Sequence, residues 1–468
     1  MHKPIQIKNL SLSFPHKLCF ENFSTQVYSG SRIAIIGANG SGKSTLLNRL
    51  NGISNAVSGE VMLPSEVVLG YVPQLISDHP HLSGAERFQK SLTQALQSGP
   101  NVLLLDEPTN HLDRTHRKNF LGLLEKYTGT LILVSHDTML LRHSVDILWH
   151  IDNGTVHIFS GNYEDYKNEI ISKRRAIEAS LLQLHRQKKE MHQTLMREQV
   201  RAAKSRAKGE KSIRERKWPL GGKATALRAE ETSGRKKVVI QDKKQALIEQ
   251  LADLRLPDII QPKFSLSSAE LGDKVLVSIS EGGVTYCVEK TVLKNIYLTI
   301  RSHSRLAILG DNGSGKSTLV KAILNEPIVI KTGDWLAPNR KDIGYLDQQY
   351  AILCPNKTVF ETIADEMPEW REAEIRKHLN DFLFRKNEEV EIAVSQLSGG
   401  ERVRLSLARI AVLNPKLLIL DEVTNNLDLE TKAHVVTVLK AYPGALIVIS
   451  HDEDFLEAID IRESYCLG

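Results

Sequence analysis

The sequence predicts an α/β fold: two domains of one design, each a run of strand, loop and helix units, joined by a basic α-helical hairpin. Three observations lead there. A glycine-rich segment set between an apolar run and a helix-like stretch occurs twice, at 37–45 and 310–318. Each copy is followed by two apolar strands that end in polar residues, 103–107 and 134–137 in the first, 418–422 and 448–452 in the second. Between the copies the pattern changes to heptad-spaced apolar residues in a strongly basic stretch.

The first element is the glycine-rich loop. Ile33 to Ile36 lead into Gly37, Ala38, Asn39, Gly40, Ser41, Gly42, Lys43, Ser44 and Thr45; Leu306 to Leu309 lead into Gly310, Asp311, Asn312, Gly313, Ser314, Gly315, Lys316, Ser317 and Thr318. Strand, glycine-rich loop and helix is the context of a P-loop. Glycines let the backbone curl so that its N–H groups point at phosphate oxygens, and the helix N-terminus adds partial positive charge. Lys43 and Lys316 would reach the β and γ phosphates, and Ser44 and Ser317 would hold Mg²⁺. A chance glycine-rich turn would not recur in the same context.

Downstream, Tyr71-Val72-Pro73-Gln74 corresponds to Tyr345-Leu346-Asp347-Gln348, and Leu82-Ser83-Gly84-Ala85-Glu86 to Leu397-Ser398-Gly399-Gly400-Glu401. The strand Leu103-Leu104-Leu105 ends in Asp106 and Glu107, and Leu418-Ile419-Leu420 in Asp421 and Glu422. Two carboxylates at a buried strand end suit a metal-side Asp and a water-polarising Glu. The next strand ends in His136 and in His451. Lys43 to Lys316 spans 273 residues and Gln74 to Gln348 spans 274, but Ser83 to Ser398, Asp106 to Asp421 and His136 to His451 each span 315. The second copy therefore carries 41 extra residues between its Gln and its Ser-Gly-Gly loop. They include 358–383, rich in helix formers, with Val359, Ile363, Met367, Ile375, Leu379 and Phe382 marking an apolar face.

This order of motifs resembles that of ATP-binding cassette ATPases. Two copies in one chain, with Leu-Asp-Glu-Pro-Thr-Asn-His-Leu-Asp at 105–113, resemble the ABC-F subfamily, over nearly the whole chain. The resemblance implies two P-loop ATP-binding cassette domains joined by a basic α-helical hairpin linker, with ATP and Mg²⁺ as cofactors. It implies that the two cassettes of one monomer face head to tail, each ATP lying between one P-loop and the other cassette's Ser-Gly loop. Glu107 and Glu422 would orient the attacking water, and His136 and His451 would sense the γ-phosphate. Gln74 and Gln348 would contact Mg²⁺ or water, beside Asp106 and Asp421. Ser83, Gly84, Ser398, Gly399 and Gly400 would clasp the opposite nucleotide, and Phe14 and Tyr286 stand where the family stacks adenine. The extra residues of the second copy would form the helical subdomain, nearly absent from the first. The expected domains are 1–162, the first cassette; 163–268, the linker; and 269–468, the second cassette. Two departures stand out: Ala85 replaces the second glycine of its loop, where a Cβ is expected to crowd the opposite γ-phosphate unless the backbone sits at negative φ, and Val423 replaces the proline found at Pro108.

The hairpin follows from charge and spacing. From Lys167 to Lys244 there are 23 Lys and Arg against 9 Asp and Glu, a net +14 in a chain of net +5, so the remainder is −9. Such a module suggests a polyanion partner. Ile170, Ile177, Leu184 and Met191 recur every seven residues, as do Ile240, Leu247 and Leu254. Two such stripes can zip into an antiparallel hairpin, with Trp218-Pro219-Leu220-Gly221-Gly222 as the turn. A solvated coiled coil or a linker would look similar. The resemblance implies instead that 163–268 contacts the ribosome and its rRNA, where basic side chains would meet phosphates and Trp218 could stack on a base.

Length and composition agree. A chain of 468 residues suggests about three domain-sized units, and 41% hydrophobic with 25% charged residues reads as globular and soluble. No apolar run nears the roughly 20 residues of a membrane span, and the first residues read as a strand rather than a signal peptide. Cys19, Cys287, Cys354 and Cys466 form no metal-like pair, as expected of reduced thiols in a cytoplasmic protein. The sequence thus points to an ATPase acting on the ribosome, in antibiotic-resistance protection or as a translation factor. The alternatives are the ATPase subunit of a membrane transporter, which leaves the basic insertion unexplained, and a DNA-associated ATPase.

Overall fold

The computed structural model describes residues 2–14, 17–53, 58–74, 82–110, 112–214, 260, 262, 264, 272–286, 291–347, 350, 352–424 and 427–467. The chain divides into two compact units, Met1–Tyr166 with Ile259–Gly468, and Lys167–Asp258.

In the first cassette, β1 (Ile5–Phe14) pairs antiparallel with β2 (Lys17–Val27) and β4 (Ser58–Met62). A second sheet runs β5-β6-β7-β3-β8-β9, with β3 (Arg32–Gly37), β5 (Leu69–Val72), β6 (Val102–Asp106), β7 (Thr130–Val134), β8 (Ile147–Asp152) and β9 (Thr155–Ser160). All neighbours in it are parallel except β8 and β9. Every residue of β6 and β7 is buried, which is why these strands read as continuous apolar runs without alternation. The helices are α1 (Lys43–Leu50), α2 (Gly84–Gln97), α3 (Arg114–Lys126) and α4 (Thr138–Ser144).

A single helix, α5 (Tyr163–Arg214), leads out of the first cassette. Its 52 residues correspond to roughly 78 Å at 1.5 Å per residue. Ile177, Leu181, Leu184 and Met191 are half-buried along it, while Ile170, the first residue of the expected stripe, is exposed. The second stripe, Ile240 to Leu254, and the turn at Trp218 lie outside the described residues.

The second cassette repeats the plan. β10 (Val275–Thr285) pairs with β11 (Thr291–Arg301) and β13 (Ile330–Leu336). The parallel sheet runs β14-β15-β16-β12-β17, from β12 (Arg305–Leu309), β14 (Ile343–Leu346), β15 (Leu417–Asp421), β16 (Ala445–Ile449) and β17 (Glu463–Cys466). Its helices are α6 (Lys316–Ile323), α7 (Val359–Ala364), α8 (Glu372–Asp381), α9 (Asn387–Glu391), α10 (Gly399–Leu413), α11 (Leu429–Ala441) and α12 (Glu453–Ala458).

The copies differ where the sequence has its insertion. The stretch 358–383 holds α7 and α8, and Val359, Ile363, Ile375, Leu379 and Phe382 are buried in one core cluster. That cluster includes Leu405, Ala408 and Val412 of α10. The same positions of α2, 315 residues earlier, are Lys90, Thr93 and Gln97, all exposed. The face that seats the helical subdomain in the second cassette is polar in the first. Val423 is 1% exposed in the same core cluster, so the loss of proline there is a change of packing.

Candidate nucleotide sites

Each P-loop is set by backbone geometry. Gly42 and Gly315 stand just before α1 and α6 at φ +95° and +94°, and a Cβ there would lie 2.5 Å from Leu12 and 2.7 Å from Leu293. Only glycine accepts both constraints. Lys43 and Lys316 are buried at 7% and 6% exposure. Lys43 Nζ donates to the carbonyls of Gly37 and Ala38, both at 2.9 Å. Lys316 Nζ donates to those of Gly310 at 2.8 Å and Asp311 at 2.9 Å. Each ammonium thus lies across the mouth of its own loop. The buried hydroxyls of Ser41 and Ser314 have no hydrogen-bond partner among the described residues. A cradle with an ammonium at its mouth and a spare O–H donor within fits a phosphate anion.

The carboxylates stand beside each cradle. Ser44 Oγ donates to Asp106 Oδ1 at 3.0 Å, and Ser317 bonds Asp421. Burial raises both aspartates, against those serine bonds and the neighbouring lysines. A hydroxyl beside a carboxylate is a hard-oxygen pair of the kind Mg²⁺ selects. Tyr71 is pushed up to about 12 by burial and then by Asp106, and the Tyr345 hydroxyl donates to Asp421 at 3.4 Å.

Glu107 and Glu422 share a rarer property: both lie in the left-handed region, at φ 46° and 51°. This conformation is costly for a residue with a Cβ, and such strain persists only where its surroundings fix it. The fixing bonds are Glu107 N–H to the Val134 carbonyl at 2.9 Å and Glu422 N–H to the Ile449 carbonyl at 3.0 Å. They lock each Glu to the strand that carries the histidine. His136 Nε2 is 3.4 Å from Glu107 Oε1, both side chains 8% exposed, without the alignment of a hydrogen bond. Burial pushes Glu107 up to about 8 despite Lys43. Burial, with the adjacent lysine, depresses His136 to about 3 and His451 to about 4.

One cavity of about 380 Å³ brings together Phe14, Asn39, Gly40, Gly42, Lys43, Ser44, Thr45, Gln74, Glu107 and His136. Phe14 is 47% exposed at its rim. In the second cassette the Tyr286 hydroxyl lies 3.1 Å from Thr318 Oγ1 and Lys321 sits over its ring. Gln348 lies outside the described residues. Ser83 and Ser398 are the N-caps of α2 and α10, each in a capping box with Glu86 or Glu401. Ser398, Gly399 and Gly400 do not line the cavity on Lys43.

For Ala85 the negative-φ exception applies. A Cβ on Gly400 would stand 2.8 Å from Thr431 Oγ1, in its own cassette. Ala85, at the matching position, is 7% exposed in the first cassette's own core with Phe88 and Phe120. It is absent from the positive-φ residues. As the second residue of α2, its methyl is directed inward, into that core.

Sequence reasoning missed the residues that join the cassettes. Asp428 Oδ2 accepts the Asn39 N–H at 2.8 Å, and its Oδ1 accepts Thr431 N–H at 2.7 Å as the N-cap of α11. Asp113, its counterpart, bonds His116 N–H at 2.9 Å and lies 2.7 Å from His116 Nδ1. Arg117 Nη1 donates to the His451 carbonyl at 3.4 Å, and Arg142 Nη1 to Asp454 Oδ1 at 2.6 Å. The 315-residue offset from Asp113 to Asp428 was the available signal.

The family profile described as ABC transporter matches residues 20–81 and 293–425, parts of both cassettes. The ATP-binding protein Uup of Buchnera aphidicola is 29% identical over 97% of this chain and 78% of its own length. The ribosome protection protein VmlR of Bacillus subtilis is 29% identical over 98% of this chain and 85% of its own. ABC transporter F family member 5 of Arabidopsis thaliana is 31% identical over 84% of this chain and 52% of its own. The chain belongs to the ABC-F family of ATP-binding cassette proteins. This ABC-F protein is an ATPase, and its α/β fold of two cassettes is shared by an RNase-L inhibitor structure, with TM-score 0.61 at 16% identity over 97% of this chain and 87% of that one. No helix among the described residues is long and apolar enough to cross a membrane.

Proposed function

We propose that this ABC-F protein is a cytoplasmic monomer that hydrolyses ATP at two sites and acts on the ribosome through 163–268. In this reading Lys43 and Lys316 hold the β and γ phosphates. Ser44, Ser317, Asp106, Asp421, Gln74 and Gln348 hold Mg²⁺, which neutralises charge on the phosphates. Glu107 and Glu422 orient water, His136 and His451 face the γ-phosphate, and Phe14 and Tyr286 receive adenine. Ser83, Gly84, Ser398, Gly399 and Gly400 close over the opposite nucleotide. The observation that carries the two-site reading is the pair of left-handed glutamates, each bonded to its histidine strand. The divisions 1–162, 163–268 and 269–468 belong to the same proposal.

The ribosome reading rests on the net +14 between Lys167 and Lys244 and on a relative whose name is ribosome protection protein. That name also favours protection over a general translation role. The test is the Glu107→Gln, Glu422→Gln double variant with ATP. It should keep nucleotide binding, lose hydrolysis by orders of magnitude, and sediment with ribosomes rather than with membranes or DNA. A variant that hydrolyses ATP near the parent rate sinks the glutamate roles; one that stays in the supernatant sinks the ribosome reading.

A further inference from the structure

The loops ending β7 and β16 each carry a histidine, an aspartate and then a short helix, α4 or α12. The first cassette grips the second cassette's copy of this segment. Arg117 donates to the His451 carbonyl at 3.4 Å. Arg142 Nη1 donates to Asp454 Oδ1 at 2.6 Å, and the Thr138 hydroxyl donates to Asp454 Oδ2. Arg114 pairs with Glu453.

The sequence repeat cannot supply the reverse grip. Moving Arg114, Arg117, Thr138 and Arg142 forward by 315 gives Leu429, Lys432, Glu453 and Glu457. Moving Asp454 back by 315 gives Met139. Leu429 has no charge, Glu457 has the wrong sign, and Met139 offers no carboxylate. Lys432 is taken by Asp452 of its own cassette, and an ammonium lacks the fork with which a guanidinium serves two acceptors. Arg117 Nη1 reaches His451 while its Nε lies 3.3 Å from Asp137 Oδ2, within ion-pair distance but without the alignment of a hydrogen bond. Arg142 uses the fork in full, with Nε 2.5 Å from Glu164 Oε1 in the first turn of α5 while Nη1 bonds Asp454.

We propose that Arg142 and Arg117 are positioning residues for the second nucleotide site: they hold the His451 segment from the first cassette, so that turnover at the site of Lys316, Glu422 and His451 depends on side chains that touch no nucleotide, while among the described residues the His136 segment of the first site has no equal grip from the second cassette. The inference rests on the reading of Glu107 and Glu422 as the water-orienting groups.

The test compares Arg142→Gln in two backgrounds. With Glu107→Gln, hydrolysis comes from the second site; with Glu422→Gln, from the first. Arg142→Gln should lower kcat about threefold to fivefold in the Glu107→Gln background, the scale of partly exposed ion pairs, with little change in KM for ATP. It should leave the Glu422→Gln background within error. Asp454→Asn, which keeps the side-chain shape, should show the same selectivity. Equal loss in both backgrounds, as a loosened interface would give, or no loss in either, overturns the proposal. If E107Q and E422Q themselves turn over ATP at the parent rate, the glutamate reading fails. Lys43→Ala and Lys316→Ala, each disabling one P-loop, then replace them as backgrounds: a loss confined to the Lys43→Ala background supports the proposal, and equal loss or none overturns it.

Discussion

Asp428 offers the sharpest perturbation, because one carboxylate does two separable things. It is 5% exposed; Oδ1 caps α11 at 2.7 Å from Thr431 N, and Oδ2 accepts the Asn39 N–H of the first P-loop at 2.8 Å. Asp428→Asn keeps the cap, since asparagine is among the best N-cap residues. It turns an NH₂ group, or a neutral oxygen at best, toward Asn39. Losing a charge-assisted bond at this partly buried N–H costs about 1.5–3 kcal/mol. Asp428→Ala loses the cap as well, about 1 kcal/mol more. The order of stability should be parent, Asn, Ala, read as a melting shift of about 2–5 °C. Asp113→Asn is the control, because Asp113 bonds His116 of its own cassette, and it should cost less. The Thr431 and Asn39 bonds hold the Asp428 carboxyl below its ordinary range against burial. A depressed carboxyl contributes stability above its unfolded value and loses it as pH falls through its folded value. The gap between parent and Asp428→Asn should therefore close below about pH 4. Thermal melting across a pH series measures this. Equal melting of parent and Asp428→Asn at pH 7, or a gap unchanged in acid, refutes the reasoning.

Three other outcomes are expected. With Glu422→Gln as background, kcat/KM should climb with pH toward about 8, because the Glu107 carboxyl is held there by burial and must ionise to polarise water; a profile flat between pH 6 and 8 counts against this. Ala85→Gly should leave turnover at both sites unchanged and cost about 1 kcal/mol of stability through helix propensity, so faster hydrolysis in that variant would revive the crowding argument. Replacing Lys211, Arg214, Arg216 and Lys217 with Gln should leave intrinsic ATPase activity intact and flatten the salt dependence of ribosome pelleting by roughly 0.7–0.9 in slope per lost phosphate contact; an unchanged slope would make the linker a mere spacer.

What the sequence made legible was chemistry packed into short contiguous segments. A P-loop, a buried strand ending in Asp-Glu and a strand ending in His each announce themselves within ten residues, and the repeat doubled every signal. The apolar face from Val359 to Phe382 was legible for the same reason, though it is divided between α7, the connection that holds Met367, and α8 with Phe382 as its C-cap. The cassette junction was not legible. Asn39 and Asp428 are 389 residues apart and Arg142 and Asp454 are 312 apart, so no local pattern marks either pair. Nor was the setting of Ala85 legible, because the direction of a Cβ is fixed by its turn of helix and by what packs against that turn, which motif comparison leaves out.

The exposed flank of α2 has a consequence for how the two halves of the chain could ever be made alike again. Lys90, Thr93 and Gln97 occupy the places of Leu405, Ala408 and Val412. Inserting the second cassette's extra residues after Gln74 would bring Phe382 and Leu379 against an ammonium, a hydroxyl and an amide instead of an apolar seat. The Thr93 hydroxyl already donates to the Gln89 carbonyl, but burying the Lys90 ammonium and the Gln97 amide without partners would cost roughly 1–3 kcal/mol each. The shortening of the first cassette therefore works as a ratchet: a single insertion cannot undo it, and restoring the lobe requires repainting the helix beneath it first.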